Sequence, residues 1–184
     1  MIIDNNFFKD THLFFKQVSK KFILPNIGKL NKIDISDKPD LSKVTKFDLL
    51  VENELVEYFN KCNFNNIISE EHSSNLLKEN SYLTIDPIDG TRNFINGINK
   101  VVIMVSYIEN ESSIFSIIYD PVEDLFYHTH NNLIYKNFIE IKYSRYEKHI
   151  GFLGDHAKIY FKDYVSNPIE KKRSRSIGYD VLEV

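Results

Sequence analysis

The chain has 184 residues, a net charge of −3 and an isoelectric point near 6.1, without the basic surface that nucleic-acid binding requires. Hydrophobic residues make up 42% of the sequence, so a folded core is expected, while no apolar run reaches the roughly 20 residues of a membrane span. A single cysteine, Cys62, excludes an internal disulfide and favours a reducing compartment, so we expect a soluble cytoplasmic protein that binds neither nucleic acid nor membranes.

Two amphipathic helices are predicted in the first third of the chain. The first covers residues 4 to about 24, where large apolar side chains recur at helical spacing before a proline. A polar stretch at 31–43 is predicted to be a loop. The second helix begins near Thr45, and Asp48 has the spacing of a capping box. Glu52 is among the acids that we expect on the outer face of this helix.

The middle of the chain is rich in short β-strand patterns. Strands are predicted at 67–68, 82–85, 101–107, 113–119, 125–128 and 139–143. Acidic residues stand where the first two strands end, Glu70 and Glu71 after one, and Asp86 and Asp89 after the other. Later in the chain the pattern weakens, and a short helix is predicted at 156–165.

Three acidic clusters therefore lie at the edges of structured elements: Asp48, the pair Glu70 and Glu71, and Asp86 with Asp89. Carboxylates that converge repel one another unless a cation neutralises them. Hard oxygen ligands suit Mg²⁺, which often shares phosphate oxygens with a substrate. Taken singly, the clusters have plainer interpretations, namely a helix cap, a solvated loop and a surface turn.

The stretch IDPIDGTRNF, residues 85–94, places metal and phosphate chemistry close together. Pro87 fixes its own φ and stiffens the turn between the two aspartates. Gly90 allows the backbone to approach a ligand. Thr91 offers a hydroxyl, and free N–H groups at the start of a helical turn bind anions.

Together these motifs resemble the inositol monophosphatase family, the Mg²⁺-dependent, lithium-sensitive phosphatases of sugars and polyols. DPIDGTRNF at 86–94 is similar to the main family signature, and ISEE at 68–71 to its strand-ending glutamate pair. VTKFD at 44–48 is similar to the family's VT-x-x-D at a helix start. RSIGYD at 175–180 resembles a later R-x-x-G motif, so the resemblance covers the chain from about residue 38 onward.

The resemblance implies a layered α/β fold, the αβαβα sandwich of that family, of which this chain would hold the N-terminal two-thirds. It would be one incomplete phosphatase domain, with N-terminal helices in 1–62, the main sheet and metal site in 63–150, and the start of a second α/β part in 151–184. The family's late W-D-x-A-A motif, whose aspartate completes the second metal site, does not occur, and the chain has no tryptophan. We therefore expect an incomplete second metal site, and either a homodimer or a C-terminal partner fragment.

The resemblance also implies a role for each motif residue. Two or three Mg²⁺ ions would be bound by Glu70, Asp86, the Ile88 carbonyl and Asp89. The groups that contact the substrate and its phosphate would be Asp89, Gly90, Thr91 and Gly178. The catalytic residues would be Glu70, Thr91 and Asp48, with Glu70 and Thr91 orienting and deprotonating the attacking water.

The implied activity is Mg²⁺-dependent hydrolysis of a small sugar or polyol phosphate monoester, such as inositol 1-phosphate, by a metal-activated water. Histidinol phosphate and a nucleotide 3′-phosphate are the alternative substrates. The alternative to an active enzyme is a catalytically weak or inactive family member that needs a C-terminal partner.

Overall fold

The computed structural model describes residues 3–71, 80–142 and 176–178. Its helices are α1 (Asn5–Val18), α2 (Lys46–Lys61) and α3 (Thr91–Asn96), with a π-helical turn at Ser19–Ile23 and a 3-10 turn at Lys32–Asp34. Its strands are β1 (Ile35–Asp37), β2 (Lys43–Thr45), β3 (Ile67–Ser69), β4 (Ser81–Asp89), β5 (Val102–Glu109), β6 (Ser112–Asp120), β7 (Leu125–His130), β8 (Leu133–Lys136) and β9 (Ile139–Ile141). The helix predicted at 156–165 lies outside the described residues.

Strands β3 to β9 form one seven-stranded sheet in which neighbours along the chain are neighbours in space. Strands β3 and β4 run parallel, and each later strand pairs antiparallel with the one before it. Strands β1 and β2 form a separate antiparallel hairpin that leads into α2. None of the helices in the described part of the chain is long and apolar enough to cross a membrane.

Helices α1 and α2 cover one face of the large sheet with an aromatic-rich core. The ring of Phe8 on α1 lies 5.8 Å from Phe115 on β6 and 4.1 Å from His128 on β7. Phe59 on α2 lies 5.9 Å from Phe64, which precedes β3. Aromatic pairs of this kind add about 0.5–1.5 kcal/mol each to the free energy of unfolding. The helices thereby hold the strands, and the acids at the strand ends, in a fixed arrangement.

The mixed α/β fold class is confirmed, and so are the two long helices. Two local predictions are wrong. Residues 31–43 are not a simple loop, because β1 pairs with β2, with Ile35 opposite Thr45. Glu52 is not on an outer face, because it is 0% exposed and accepts a hydrogen bond from the backbone N–H of Glu71. Strand β8 carries no pattern that predicted it.

A polar cluster ties the turn between β6 and β7 to helix α1. Asp124 in this turn accepts hydrogen bonds from the hydroxyl of Tyr119 at 2.9 Å and from His12 at 3.1 Å, and it pairs with Lys16. Burial raises the pKa of Asp124, but hydrogen bonds from Lys16, His12 and Tyr119 outweigh this effect and lower it to about 2. The ionised carboxylate therefore stabilises the fold.

We predict that Asp124→Asn lowers the free energy of unfolding at neutral pH by about 1 kcal/mol or less, since the side chain is partly exposed and screened. Asparagine tolerates the positive φ of 55° at this position, so the change removes charge without adding backbone strain. Because the pKa is depressed in the folded state, the stabilisation is present above the unfolded pKa and is lost as pH falls toward about 2. Urea unfolding at several pH values measures the difference, and a difference that is constant with pH would contradict the prediction.

Candidate metal centre

The parallel pairing of β3 with β4 places two acids side by side. In this register Ser69 lies opposite Ile85, and the backbone N–H of Glu70 donates to the Ile85 carbonyl at 3.1 Å. Glu70 and Asp86 follow directly on the two strands. Their carboxylates are close enough for the charge of Glu70 to raise the pKa of Asp86.

A β-bulge places the third acid on the same side of the sheet. Asp86 pairs with Met104 and Asp89 pairs with Val102, so β4 uses one residue more than β5 between these two pairs. In a regular strand, residues three apart point to opposite faces. The extra residue breaks this alternation, and Pro87, which has no N–H, is tolerated at such a bulge. Asp86 and Asp89 can therefore serve one centre.

Asp86 has an oxygen that the described residues do not satisfy. Its Oδ1 is enclosed and has no hydrogen-bond partner among the described residues. Burial raises the pKa of the Asp86 carboxyl well above its ordinary value, and the charges of Glu70 and Asp89 raise it further. A buried carboxylate without a partner is costly, so this position favours a bound cation.

Asp89 connects the end of β4 to a distant part of the chain. Its Oδ2 accepts hydrogen bonds from the Ser176 hydroxyl and the Gly178 N–H, both at 2.6 Å. Gly178 also lies against β5, because a Cβ at this position would come within 2.5 Å of Val102 Cγ2 and 2.6 Å of Met104 Sδ. Residues 176–178 thus form one wall of the centre.

Asp48 joins the start of α2 to the signature turn. Its Oδ2 accepts the N–H of Thr45 at 2.8 Å and the Thr45 hydroxyl, which completes the predicted capping box. Its Oδ1 accepts the hydroxyl of Thr91 at 3.1 Å. The same hydroxyl lies 3.2 Å from the Ile88 carbonyl. Burial raises the pKa of Asp48, although hydrogen bonds from Thr45 and Thr91 oppose the shift.

Gly90 allows the sharp turn from β4 into α3. Its φ is +94°, and a Cβ here would lie 2.8 Å from the Lys100 carbonyl oxygen and 3.1 Å from Ser176 Cβ. Asn93 Nδ2 would lie 3.4 Å from the same Cβ, and it donates to the Lys100 carbonyl at 2.8 Å. The backbone around Gly90 and Thr91 is therefore close-packed and fixed.

Lys38, from the β1–β2 hairpin, supplies a positive charge to the acids. Its ammonium lies 2.8 Å from a carboxylate oxygen of Glu70 and 2.8 Å from one of Glu71. Burial lowers the pKa of Lys38, but hydrogen bonds to Glu70 and Glu71 outweigh this effect and raise it above its ordinary value. Burial raises the pKa of Glu71, and Lys38 opposes that shift.

The donor set fits a hard divalent cation. The predicted ligands are the carboxylates of Glu70, Asp86 and Asp89 and the Ile88 carbonyl, and oxygens of these kinds are the ligands that Mg²⁺ prefers. Within residues 3–71, 80–142 and 176–178, no three acidic, histidine or cysteine side chains already converge as a ligand set. Glu70 also pairs with Lys38, so a bound ion would compete with the lysine for this carboxylate.

The sequence analysis assigned no role at the centre to three residues that contact its acids. Lys38 pairs with two of the acids, Glu52 binds the Glu71 backbone, and Ser176 binds Asp89. Glu52 follows Asp48 by four residues and so shares its helix face, a signal that could have placed it. For Ser176 no local pattern predicts the contact, because it joins residues 87 positions apart.

We predict that Gly90→Ala destabilises the fold more than the matched change Gly97→Ala. Both glycines have positive φ, so alanine costs about 1–2 kcal/mol at either position. At Gly97 the added Cβ would meet only Gly28 Cα, at 3.4 Å, whereas at Gly90 it would meet a backbone oxygen at 2.8 Å. The clash should add about 1–3 kcal/mol. Urea unfolding of both variants measures this, and equal losses would show that the signature turn is not close-packed.

Comparison with known proteins identifies a family for the chain. The family model for the inositol monophosphatase family matches residues 15–147. A 3′(2′),5′-bisphosphate nucleotidase CysQ of Buchnera aphidicola is 33% identical over 52% of this chain and 37% of its own length. Inositol monophosphatase 1 of Bos taurus is 34% identical over 46% of this chain and 32% of its own length. The chain thus spans about a third of the length of these curated relatives.

Solved structures share the fold at lower sequence identity. The IMPase of Thermotoga maritima superposes with a TM-score of 0.71 at 21% identity, over 85% of this chain and 62% of that one. An IMPase/NADP phosphatase complexed with Mg²⁺ and phosphate gives a TM-score of 0.74 at 18% identity, over 96% of this chain and 69% of that one. Since the family model covers well over half of the sequence, the chain belongs to the inositol monophosphatase family.

Proposed function

We propose that this chain carries the Mg²⁺ centre of a phosphatase that hydrolyses a small sugar or polyol phosphate monoester. The observation that carries the proposal is the enclosed Oδ1 of Asp86, which has no hydrogen-bond partner among the described residues and belongs to a carboxyl that neighbours Glu70 and Asp89. Glu70, Asp86, the Ile88 carbonyl and Asp89 would hold the metal. Bound Mg²⁺ would supply a water of lowered pKa and neutralise charge on the phosphate.

Thr91 and Asp48 are placed to orient the attacking water. The Thr91 hydroxyl donates its proton toward Asp48 Oδ1, so its oxygen lone pairs can accept a hydrogen bond from a water. Glu70, at the adjacent strand end, is the predicted acceptor of the proton that the water releases. As the water oxygen bonds to phosphorus, the bond from phosphorus to the ester oxygen breaks, and the leaving alcohol takes up a proton from solvent.

The N–H groups of Gly90 and Thr91 are the proposed binding site for the phosphate oxygens, because the fixed turn presents them at the start of α3. Gly178 also belongs to the proposed substrate side. Its N–H is engaged by Asp89, so its effect on substrate would act through the position of that carboxylate.

The substrate is left open among three classes. The relatives include inositol monophosphatases, bisphosphate nucleotidases and a fructose-1,6-bisphosphatase/inositol-1-monophosphatase of Methanocaldococcus jannaschii, which is 30% identical over 61% of this chain. An inositol phosphate is our first choice because the signature is that of the polyol phosphatases. A nucleotide 3′-phosphate and histidinol phosphate are the alternatives.

Association with a second copy or with a C-terminal fragment also stays a proposal. Strand β9 is at the edge of the sheet in the described part of the chain, and Ile139 and Ile141 on it are 74% and 41% exposed. Exposed apolar edge strands favour pairing with another chain. Light scattering of the purified chain would give its mass directly.

We predict that the purified chain releases phosphate from at least one member of a panel of inositol, sugar, histidinol and nucleotide phosphates, and only with Mg²⁺. Asp86→Asn should lower the rate at least 100-fold, the usual scale for loss of a transition-state charge contact. Asp10→Asn, an exposed acid on α1, is the matched control and should leave the rate unchanged. No release above the Asp86→Asn background from a folded sample would favour the alternative, a catalytically weak or inactive chain that needs a C-terminal partner.

Thr91 offers a second test of the proposed water position. Thr91→Val keeps the shape of the side chain but removes the hydroxyl that donates to Asp48, and it should lower kcat by about 10²–10⁴. Thr91→Ser keeps the hydroxyl and should retain most of the rate. Mg²⁺ affinity, measured by calorimetry, should be similar in both variants, and equal kcat values for valine and serine would contradict the proposed role.

A further inference from the structure

The hairpin β1–β2 is closed tightly around Lys38. The Lys38 N–H donates to the Ser42 carbonyl at 2.9 Å, and the Leu41 N–H donates to the Lys38 carbonyl at 2.9 Å. The Lys38 side chain is only 18% exposed, and its ammonium bridges Glu70 and Glu71. The hairpin is therefore attached to the metal centre through one positive charge.

The two glutamates are held very differently. The Glu71 side chain is 4% exposed, and its backbone N–H donates to buried Glu52 at 2.8 Å. The Glu70 side chain is 44% exposed, and its carboxylate accepts a hydrogen bond from the Lys38 ammonium at 2.8 Å. Glu71 is thus a fixed anchor for Lys38, whereas Glu70 has room to turn toward another cation.

Lys38 places a positive charge beside the acids of the metal-free centre. Glu70 and Asp86 follow paired residues of adjacent strands, and the bulge returns Asp89 to the same side, so these carboxylates converge and repel one another when ionised. The ammonium of Lys38 offsets part of this repulsion. A divalent ion that binds Asp86 would need the Glu70 carboxylate, and it would compete with Lys38 for it.

We propose that Lys38 is a positioning residue that acts as the counter-cation of the metal-free centre. When a divalent ion binds, Lys38 loses its contact with Glu70 and keeps its contact with Glu71. This inference rests on the metal centre under Proposed function. It goes beyond that function by predicting that the hairpin and the metal site are coupled. Removing the lysine charge should make the divalent ion bind more tightly, because a competitor is lost.

The same hairpin provides a matched control. Lys43 pairs with Asp37 there, but both side chains are exposed, at 39% and 61%. Exposed pairs contribute little, and this one touches none of the predicted metal ligands. Lys43→Met therefore removes an equal charge from the same hairpin without removing the contact to Glu70.

The test is calorimetric titration of the full chain with MgCl₂ at constant ionic strength, together with amide hydrogen exchange of residues 35–45. Lys38→Met, and Lys38→Gln as a second neutral variant, should bind Mg²⁺ about tenfold more tightly than the wild type, the order expected for the loss of one nearby competing charge. Their hairpin amides should exchange faster than in the wild type when metal is absent. Lys38→Arg and Lys43→Met should match the wild type in both measurements.

Asp86→Asn separates this inference from the proposed function. If Asp86→Asn abolishes Mg²⁺ binding but the neutral Lys38 variants bind as the wild type does, or more weakly, the counter-cation role is wrong and the metal centre stands. If Asp86→Asn binds Mg²⁺ as the wild type does, the metal centre is wrong and the role of Lys38 with it. Equal exchange of the hairpin amides in wild type and Lys38→Met would also overturn the coupling.

Discussion

The register between β3 and β4 determines where the acids at the strand ends lie. Because Ser69 pairs with Ile85, the residues that follow, Glu70 and Asp86, meet at the same edge of the sheet. The bulge after Asp86 then returns Asp89 to the same side. A slip of one residue in a strand moves its side chains to the other face, so the aromatic core that fixes this register also fixes the chemistry at the strand ends.

The centre is a balance between repulsion and burial. Burial raises the pKa of Asp48, Asp86 and Asp89. Hydrogen-bond donors offset the effect of burial at two of these carboxyl groups. Thr45 and Thr91 donate to Asp48, and Ser176 and Gly178 donate to Asp89. Asp86 has an oxygen without such a donor in the described part of the chain. Because Asp86 lacks, within that part, the donors that Asp48 and Asp89 have, a bound cation would stabilise Asp86 more than the other two carboxylates.

Local patterns predicted the elements and the acids, but not the contacts that join them. The helices, most strands of the sheet and the capping box at Thr45 follow from spacing and propensity within short windows. The Lys38 contact to Glu70 spans 32 positions and the Ser176 contact to Asp89 spans 87, so they depend on tertiary packing, which no local window contains. Glu52 was misplaced because an acid on a helix is usually solvated, and here a backbone N–H compensates its burial.

Asp48 links the stability of the fold to the chemistry of the site. One of its oxygens caps α2 through Thr45, and the other accepts the hydroxyl of Thr91. A capping box fixes the direction of its acidic side chain, so the start of the helix also fixes the direction of the Thr91 hydroxyl. The arrangement exists only when α2 is packed on the sheet and the turn at Gly90 is formed. Any change that loosens α2 at its first turn should therefore disturb the proposed water position before it unfolds the chain.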